Sequence, residues 1–369
     1  MEKDLIPVAN TFIGEEEAKA AYDAVKSGWI SFLGPKVKEF ETEFAKEVGS
    51  KHAIAVNNGT AALHVAIAAL DIKEGDEVIV PSLTFISTAN AVLYQNAKPV
   101  LAECDPKTYN ITAEEIEKRI TKRTKAIIPV DMNGLSVDYE SILNIAEKYS
   151  IPVIADSAES LGAEYKNRKI GSIAPIHVFS FFPNKNITTG EGGMITTNDS
   201  DLEKKMRTIM NQGQDRRYNH IMLGYNYRMT NIQAAVGLEQ LKKLEFILNE
   251  KEKIAQKYNF AFKHSKKIKI PHVPDYATRH AWYMYTISVD ILERDKIVKN
   301  LEKADIQTRL SFPPVHIQPF YREKFNYTEN SLPVSYNAWR KLINIPIWAG
   351  LGDKQDYVIT KIKEICEND

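Results

Sequence analysis

The sequence predicts an α/β fold built on a parallel or mixed β-sheet. Short apolar segments alternate along the chain with segments of helical periodicity. Strands that are apolar on both faces are typical of sheets covered by helices on both sides. Ligands of such sheets bind beyond the carboxyl ends of the strands, so residues just past these ends are the first site candidates. The predicted strands are residues 53–56, 78–80, 99–102, 126–130, 152–155 and 178–182.

Helices are predicted where apolar residues recur at intervals of three or four. Residues 35–48 place Phe40, Phe44 and Val48 on one face, and Pro35 suits a first helical turn. Further helices are expected at residues 60–70 and 138–150, from about 231, and at 240–267 and 294–304, with another strand at 282–289.

Two domains are expected from the length of 369 residues and from a change of composition after about residue 240. The Lys/Glu-rich stretch at 240–267 is expected to connect them. We predict a large domain over residues 1–240, with an N-terminal arm at 1–34, and a smaller C-terminal domain over 241–369.

Bulk composition argues against several kinds of partner. The formal net charge is zero, so neither nucleic acid nor an anionic membrane is an expected partner. The two cysteines and eight histidines show neither a disulfide framework nor metal-ligand spacing. The N-terminal residues lack a targeting signal, and no apolar run approaches the roughly 18 residues of a membrane span. We expect a cytoplasmic enzyme without a metal.

Lys185 and Asp156 each follow a predicted strand, 29 residues apart. A fixed amine near a buried carboxylate is the pair that a pyridoxal phosphate enzyme needs, because the amine forms a Schiff base with the cofactor and the carboxylate keeps the pyridine nitrogen protonated. Burial is expected to lower the pKa of Lys185 and favour the neutral amine. Taken singly, Lys185 is more typical of a solvated lysine, and Asp156 of an N-cap or a salt bridge.

The segment at residues 56–63 is a candidate phosphate site. It turns from a strand through Asn58 and Gly59 into a helix that starts at Thr60. The first N–H groups of a helix are unpaired and can bind an anion, and Gly59 allows close approach. The alternative is an ordinary capped turn. The segment matches neither the Walker loop nor the dinucleotide-binding motif.

Other candidates are ambiguous when each is taken alone. Glu159 can hydrogen-bond the phenolic oxygen of the cofactor or cap a helix, and Ser180 can bind phosphate or be a core hydroxyl. Phe85 can stack on an aromatic cofactor or belong to the core. Asn226 lies in a polar and aromatic run, and residues 309–316 form a turn-rich segment that lines or caps a cleft.

Together these motifs resemble the DegT/DnrJ/EryC1/StrS sugar aminotransferases, which are pyridoxal phosphate enzymes of the aspartate-aminotransferase fold (fold type I). The resemblance implies a large domain with a mostly parallel seven-stranded sheet and a smaller α+β C-terminal domain. The matching segments cover nearly the whole chain: 29–31, 58–60, 81–85, 156–159, 180–185, 189–193, 224–229 and 314–316.

The resemblance implies a role for each candidate. Lys185 would form the internal aldimine, Asp156 would pair with the pyridine nitrogen, and Glu159 would lie near the cofactor's O3′. Asn226 would reach the phosphate in the neighbouring subunit, so that a homodimer shares its active sites. The phosphate would be held by Gly59, Thr60, Ala61 and Ser180, the ring would stack on Phe85, and the substrate would contact Ser31, Arg309 and His316.

The resemblance is strongest to the branch that aminates C4 of nucleotide-linked 4-keto-6-deoxy sugars. It implies L-glutamate as donor, aldimine–ketimine exchange on Lys185, and a pyridoxamine phosphate form in the cycle. A 3-keto sugar aminotransferase is one alternative. A 3-dehydratase of the same fold, which uses pyridoxamine phosphate, is another, but such enzymes carry histidine in place of the lysine. A catalytically silent protein of this fold is the third alternative.

Two segments depart from the family pattern. Val130-Asp-Met-Asn-Gly134 stands where many members have His-x-Tyr-Gly, and Asn344–Gly350 differs from the usual Leu-Pro-x-x-Pro-Gly. The first of these regions can approach the substrate, so the nucleotide (GDP, UDP or dTDP) and the sugar stay open.

Overall fold

The computed structural model of the chain describes residues 5–367, so the outermost ends of both predicted domains lie outside the described residues. The helices are α1 (Glu15–Lys26), α2 (Pro35–Val48), α3 (Gly59–Ala69), α4 (Ser87–Leu93), α5 (Ala113–Glu117), α6 (Tyr139–Lys148), α7 (Ser200–Met210), α8 (Asn231–Phe262), α9 (Arg294–Lys303), α10 (Pro319–Phe325), α11 (Pro333–Trp339) and α12 (Lys354–Glu367). The strands are β1 (His52–Val56), β2 (Glu77–Pro81), β3 (Lys98–Ala102), β4 (Thr124–Ile127), β5 (Ile154–Asp156), β6 (Glu164–Tyr165), β7 (Arg168–Lys169), β8 (Ile176–Ser180), β9 (Gly193–Thr197), β10 (Gln214–Arg216), β11 (Asn219–His220), β12 (Tyr285–Ser288) and β13 (Leu342–Ile345). Short 3₁₀ helices cover Met132–Gly134, Val315–Ile317 and Glu329–Ser331.

Seven strands form the central sheet in the order β1-β9-β8-β5-β4-β2-β3. Its two hydrogen-bonded parts, β1-β9-β8-β5 and β3-β2-β4, meet where Ile127 pairs with Val153 and Val130 with Asp156, both in parallel. Strand β9 runs antiparallel to both of its neighbours, and the other pairs are parallel. The predicted sheet of seven mostly parallel strands is confirmed.

Alternate residues of the strands fill separate cores on the two faces of the sheet. On β1, Ala53 and Ala55 pack in the same core as Phe40 of α2. The intervening Ile54 and Val56 pack in the core that contains the apolar residues of α3. Because both faces are covered, the strands need apolar residues at every position, which is the pattern that the sequence shows.

Strands β5 and β8 lie side by side and place two predicted residues at one edge of the sheet. They run parallel, with Asp156 opposite Val178. Asp156 is the last residue of β5, and Lys185 follows the end of β8 by five residues. The carboxyl ends of these strands therefore bring the acid and the amine together.

The C-terminal residues form a smaller α+β unit. Strands β12 and β13 pair antiparallel, and α9 and α12 pack with them around a third core that includes Ile287, Ile345 and Leu301. Ile6 belongs to the same core and pairs with Ile306. The helices predicted from 231 and at 240–267 are one helix of 32 residues, α8. The predicted domain boundary at 240 falls inside α8 and stays a prediction.

No helix in residues 5–367 is long and apolar enough to cross a membrane. Within the same residues, no group of three or more His, Cys, Asp and Glu side chains is placed to hold a metal ion. The predicted cytoplasmic location stays a prediction.

Candidate active site

A cavity of about 780 Å³ opens at the carboxyl edge of β5 and β8. Its volume is typical of a pocket that holds a small-molecule ligand. Most of the sequence-predicted residues line it, namely Gly59, Thr60, Ala61, Phe85, Asp156, Glu159, Ser180, Lys185 and Arg309. Residues more than 200 positions apart in the chain therefore share one site.

Lys185 projects into this cavity from the loop after β8. Its N–H donates to the Phe182 carbonyl at 2.9 Å, which fixes the backbone at the base of the side chain. The side chain is 12% exposed, and Nζ lies 3.7 Å from Glu159 Oε1. The same nitrogen lies 4.1 Å from the centroid of the Tyr283 ring. The amine is held between an acid and an aromatic face.

The surroundings of Lys185 raise the pKa of its amine above the ordinary value. Burial acts to lower this pKa, but Tyr283, Glu159 and Asp156 act in the opposite direction and outweigh burial. The prediction of a lowered pKa is wrong, because it considered burial without the neighbouring acids. To become a nucleophile, the amine must lose its proton, and Glu159 Oε1, 3.7 Å away, is the carboxylate oxygen beside it.

Asp156 is buried at the end of β5 with two donors on its carboxylate. The Thr88 hydroxyl donates to Oδ2 at 2.8 Å, and the Ala158 N–H donates to Oδ1 at 3.3 Å. Burial raises the pKa of Asp156, and these donors and the Lys185 charge offset only part of the rise. A cationic ring nitrogen beside the carboxylate would favour its charged form further.

Glu159 is buried on the Lys185 side of the cavity. The backbone N–H of Asn133 donates to Glu159 Oε2 at 2.7 Å, so one carboxylate oxygen is fixed and the other faces Lys185. Burial raises the pKa of this carboxyl, while the charge of Lys185 and the Asn133 N–H oppose the rise.

The N-terminus of α3 forms a cradle in the cavity wall. The Asn58 side chain caps the helix by accepting the Ala61 N–H at 2.8 Å. The N–H groups of the first helical residues, Gly59 and Thr60, have no partner within the helix. A Cβ at Gly59 would lie 2.9 Å from the Ser180 Cβ. Only glycine lets the helix start approach Ser180 this closely, as an anion site between them requires.

Phe85 forms part of another wall. Its side chain is 52% exposed, and its ring centroid lies 5.2 Å from that of Phe312. An aromatic ring that lines a cavity while half exposed is available for stacking.

Three predicted residues lie outside the cavity wall of their own chain. Asn226 is exposed, and its side-chain oxygen accepts the Arg228 Nε–H at 2.8 Å. Ser31 is exposed in the loop before α2, where its carbonyl accepts the Asn231 N–H at 3.2 Å. His316 is fully buried, with Nδ1 2.7 Å from the Ser82 hydroxyl. The roles predicted for all three stay predictions.

The residue motifs did not reveal Tyr283, Thr88 or Asn133. Tyr283 contacts Lys185 across 98 residues of sequence, and Thr88 bonds Asp156 across 68. The only local signal for Tyr283 is its position in an aromatic strand-like segment. Asn133 acts through its backbone N–H, which carries no residue-type signal.

The segment that departs from the family pattern divides at Asp131. Val130 lines the cavity, whereas Asp131 is buried in the core and accepts hydrogen bonds from the Tyr139, Ser157 and Ser160 hydroxyls and the Val137 N–H. Burial raises the pKa of Asp131 to about 6. Asp131 therefore anchors the loop after β5, and the cavity contact of this segment comes from Val130.

The profile of the DegT/DnrJ/EryC1/StrS aminotransferase family matches residues 11–363. The chain belongs to this family. It is 42% identical over 367 residues to the GDP-perosamine synthase of Caulobacter vibrioides, with 98% of each chain covered. It is 38% identical over 380 residues to the spore coat polysaccharide biosynthesis protein SpsC of Bacillus subtilis, with 98% of this chain and 97% of that one covered. Helicobacter pylori PseC, an aminotransferase involved in the biosynthesis of pseudoaminic acid, has a TM-score of 0.94 at 29% identity, with 99% of this chain and 100% of that one covered.

Members of this family depend on pyridoxal phosphate, and the chain is a pyridoxal phosphate-dependent aminotransferase. The cavity fits that cofactor. The start of α3 offers a cradle that a Cβ at Gly59 would fill, Phe85 offers an aromatic face, and the Asp156 carboxylate is buried where a ring nitrogen needs an acid. Lys185 places an amine in the same cavity.

Proposed function

We propose that this chain transfers an amino group from L-glutamate to the C4 keto group of a nucleotide-linked 4-keto-6-deoxyhexose. GDP-perosamine synthases of Caulobacter vibrioides, Vibrio cholerae and Escherichia coli O157:H7 support the substrate class, since they match at 42%, 36% and 38% identity. Each match covers 97% or more of both chains.

The position of the Lys185 amine carries the proposal. Nζ lies inside the cavity, 3.7 Å from a carboxylate oxygen of Glu159, in a wall that also contains Asp156. Amino transfer needs one group that reaches both carbons between which a proton moves, and a lysine fixed at its backbone in a buried cavity meets that need.

The other residues of the site hold the reactants around Lys185. Pyridoxal phosphate, when bound, supplies an electron sink conjugated to the carbon that exchanges the amino group. Asp156 would hold the ring nitrogen and maintain its positive charge, and Glu159 would hold the ring oxygen. The N–H groups of Gly59 and Thr60 would bind the phosphate. The Lys185 amine would anchor the cofactor covalently at rest and, once released, would carry the proton.

Arg309 supports a carboxylate as amino donor. It lines the cavity, and its backbone pairs with Asn344, which fixes its position. Within residues 5–367 its guanidinium has no ion pair or side-chain hydrogen bond. A guanidinium prefers bidentate contact with a carboxylate or phosphate. Glutamate offers a carboxylate next to the reacting amine, and we assign Arg309 to it.

Exposed apolar residues support a homodimer that shares its sites. Trp29 is 56% exposed, Leu33 is 68% exposed and Leu223 is 81% exposed. They lie in the loop before α2 and after β11, the same two segments that hold Ser31 and Asn226. A partner subunit that covers this surface would place Asn226 at the neighbouring cavity.

Replacement of Lys185 by alanine tests the proposal. The purified chain, incubated with glutamate and nucleotide-linked 4-keto-6-deoxy sugars, should give a product that gains nitrogen by mass spectrometry. Lys185→Ala should lose turnover by about 10³-fold or more, because the anchor and the proton carrier are one group. Lys253→Ala, an exposed lysine paired with Glu250, is the control and should keep full activity. A product that loses oxygen instead, or multiple turnovers by Lys185→Ala, would contradict the proposal.

A further inference from the structure

Lys251 is a second buried lysine near Lys185. It belongs to α8 and is 4% exposed. Its Nζ donates to Asn186 Oδ1 at 2.7 Å and approaches the Tyr283 carbonyl at 3.4 Å. No carboxylate of residues 5–367 forms an ion pair with it. Burial of a lysine without a paired acid costs free energy, so the purpose of its contacts with these two acceptors needs an explanation.

Both acceptors belong to residues that determine where the Lys185 amine lies. Asn186 is the next residue in the chain, so its side chain fixes the peptide on which Lys185 stands. Tyr283 presents its ring to Lys185 Nζ at 4.1 Å, while its carbonyl faces Lys251. The amine of Lys251 therefore holds the base of Lys185 and the ring that faces its tip.

The Asn186 side chain depends on Lys251 to complete its hydrogen bonds. Its Nδ2 donates to the carbonyls of Leu161 and Ala281 at 3.2 and 2.9 Å, and Oδ1 accepts from Lys251. Without that donor, a buried amide oxygen would lose its partner, which is more costly than the bond is worth.

Lys251 is coupled electrostatically to Lys185. Burial and then the charge of Lys185 lower the pKa of Lys251 to about 7. His280, on the segment that precedes Tyr283, is itself held neutral by burial and by Lys251, which lower its pKa to about 3. The acids of the site, Asp156 and Glu159, raise the pKa of Lys185 instead. A charge on Lys251 therefore opposes a charge on Lys185.

We propose that Lys251 is a positioning residue that sets the place and the charge of the Lys185 amine through Asn186 and the Tyr283 carbonyl. It does not touch the substrate. The inference rests on the proposed role of Lys185, and it assigns a function to a buried lysine that the reaction itself does not use.

The test compares Lys251→Met with Lys251→Arg in the holoenzyme. Methionine keeps the apolar stem and removes the donor and the charge, whereas arginine keeps both. The readouts are kcat, KM and the pH midpoint at which the absorbance of the Lys185-linked cofactor changes. For Lys251→Met we expect a kcat loss of about 10- to 100-fold, KM within about threefold, and a midpoint about one unit higher. For Lys251→Arg we expect partial recovery of kcat and a midpoint at or below that of the wild type.

Lys253→Met, two residues away on the same helix but exposed, is the matched control and should equal the wild type. If Lys251→Met does not fold, Lys251→Gln, which keeps a donor without a charge, should show the same upward midpoint shift. The proposal is overturned if the midpoint is unchanged in all folded variants, or if kcat of Lys251→Met stays within twofold of the wild type. The absorbance titration needs no substrate, so it decides the role of Lys251 separately from the sugar. A wild type without the Lys185-linked absorbance would contradict the proposed role of Lys185 instead.

Discussion

Asp156 is a carboxylate that the fold buries although its proposed role requires a negative charge. Burial favours the protonated acid, and the structure opposes it with the Thr88 hydroxyl, the Ala158 N–H and the charge of Lys185. Two of these three are uncharged hydrogen-bond donors, so the support for the carboxylate does not depend on the protonation of Lys185 alone. The Thr88 hydroxyl therefore helps to set the pKa of Asp156.

Thr88→Val should move the acid limb of activity to higher pH. Activity that needs ionised Asp156 is present above its pKa and is lost as the pH falls through it. The Thr88 donor lowers this pKa, so its removal raises the pKa and moves the acid limb to higher pH. The pH profile of kcat/KM measures the shift.

The control is Thr84→Val, because the Thr84 hydroxyl bonds Thr88 at 3.0 Å and does not bond Asp156. Its shift should be clearly smaller. An acid limb that stays in place in Thr88→Val, or moves to lower pH, would show that Asp156 is not the group that titrates.

The site residues that were predicted from the sequence and those that were not differ in how far along the chain their contact partners lie. Lys185, Asp156 and Gly59 were identifiable because each stands at the end of a strand or the start of a helix, and local patterns reveal those positions. Thr88 and Lys251 contact the site only through the folding of distant segments, 68 and 65 residues from their partners. The pKa of Lys185 was mispredicted for the same reason, since Glu159 and Tyr283 oppose the effect of burial.

At the scale of elements, the start of α3 needs a glycine for two reasons: close packing against Ser180 and the exposure of N–H groups to an anion. Asn58 caps the helix through Ala61, which leaves the N–H groups of Gly59 and Thr60 for a ligand. The absence of a side chain at Gly59 lets these groups approach Ser180. Since an N-terminal helix residue tolerates alanine well, a substitution here tests the approach and not the helix.

Gly59→Ala should weaken cofactor binding by about tenfold or more, because the new Cβ would lie 2.9 Å from the Ser180 Cβ and the start of α3 would have to move away. Absorbance titration with pyridoxal phosphate measures the dissociation constant. Ser180→Gly removes the opposing Cβ, so the double variant should bind as Ser180→Gly alone does. Additive losses in the double variant would mean that the contact is not the cause.

Elements were predictable where the pattern within the segment decides the structure. Helix α2 was expected at 35–48 and is Pro35–Val48, since one apolar face and an N-terminal proline are sufficient. Strand β9 was not predicted. It is held by antiparallel pairing with β1 and β8 on its two sides, and such pairing is not visible in the pattern of the segment itself. The length of α8 was missed because the change in surface composition at 240 does not interrupt the helix.

At the scale of the whole molecule, one chain provides most but not all of the predicted site. The cavity contains Lys185, the acids and the phosphate cradle, while Asn226 and Ser31 lie on an exposed surface with unpaired apolar side chains nearby. In the proposed homodimer, a twofold axis would bring the same patch of each subunit to its partner and so complete both cavities equally. Asn226 would then act in trans to Lys185.

Two inactive variants should therefore restore activity when their subunits mix. Lys185→Ala and Asn226→Ala should each be impaired as homodimers. In a mixed dimer, one cavity combines both defects, and the other combines the intact Lys185 of one subunit with the intact Asn226 of its partner. Random exchange makes about half of the dimers mixed, each with one of two sites restored, so about a quarter of wild-type activity is expected.

The measurement is activity after denaturation and refolding of an equimolar mixture, with each variant refolded alone as the control. If the mixture gives only the average of the separate variants, Asn226 acts within its own chain or not at all, because subunit exchange then creates no intact site.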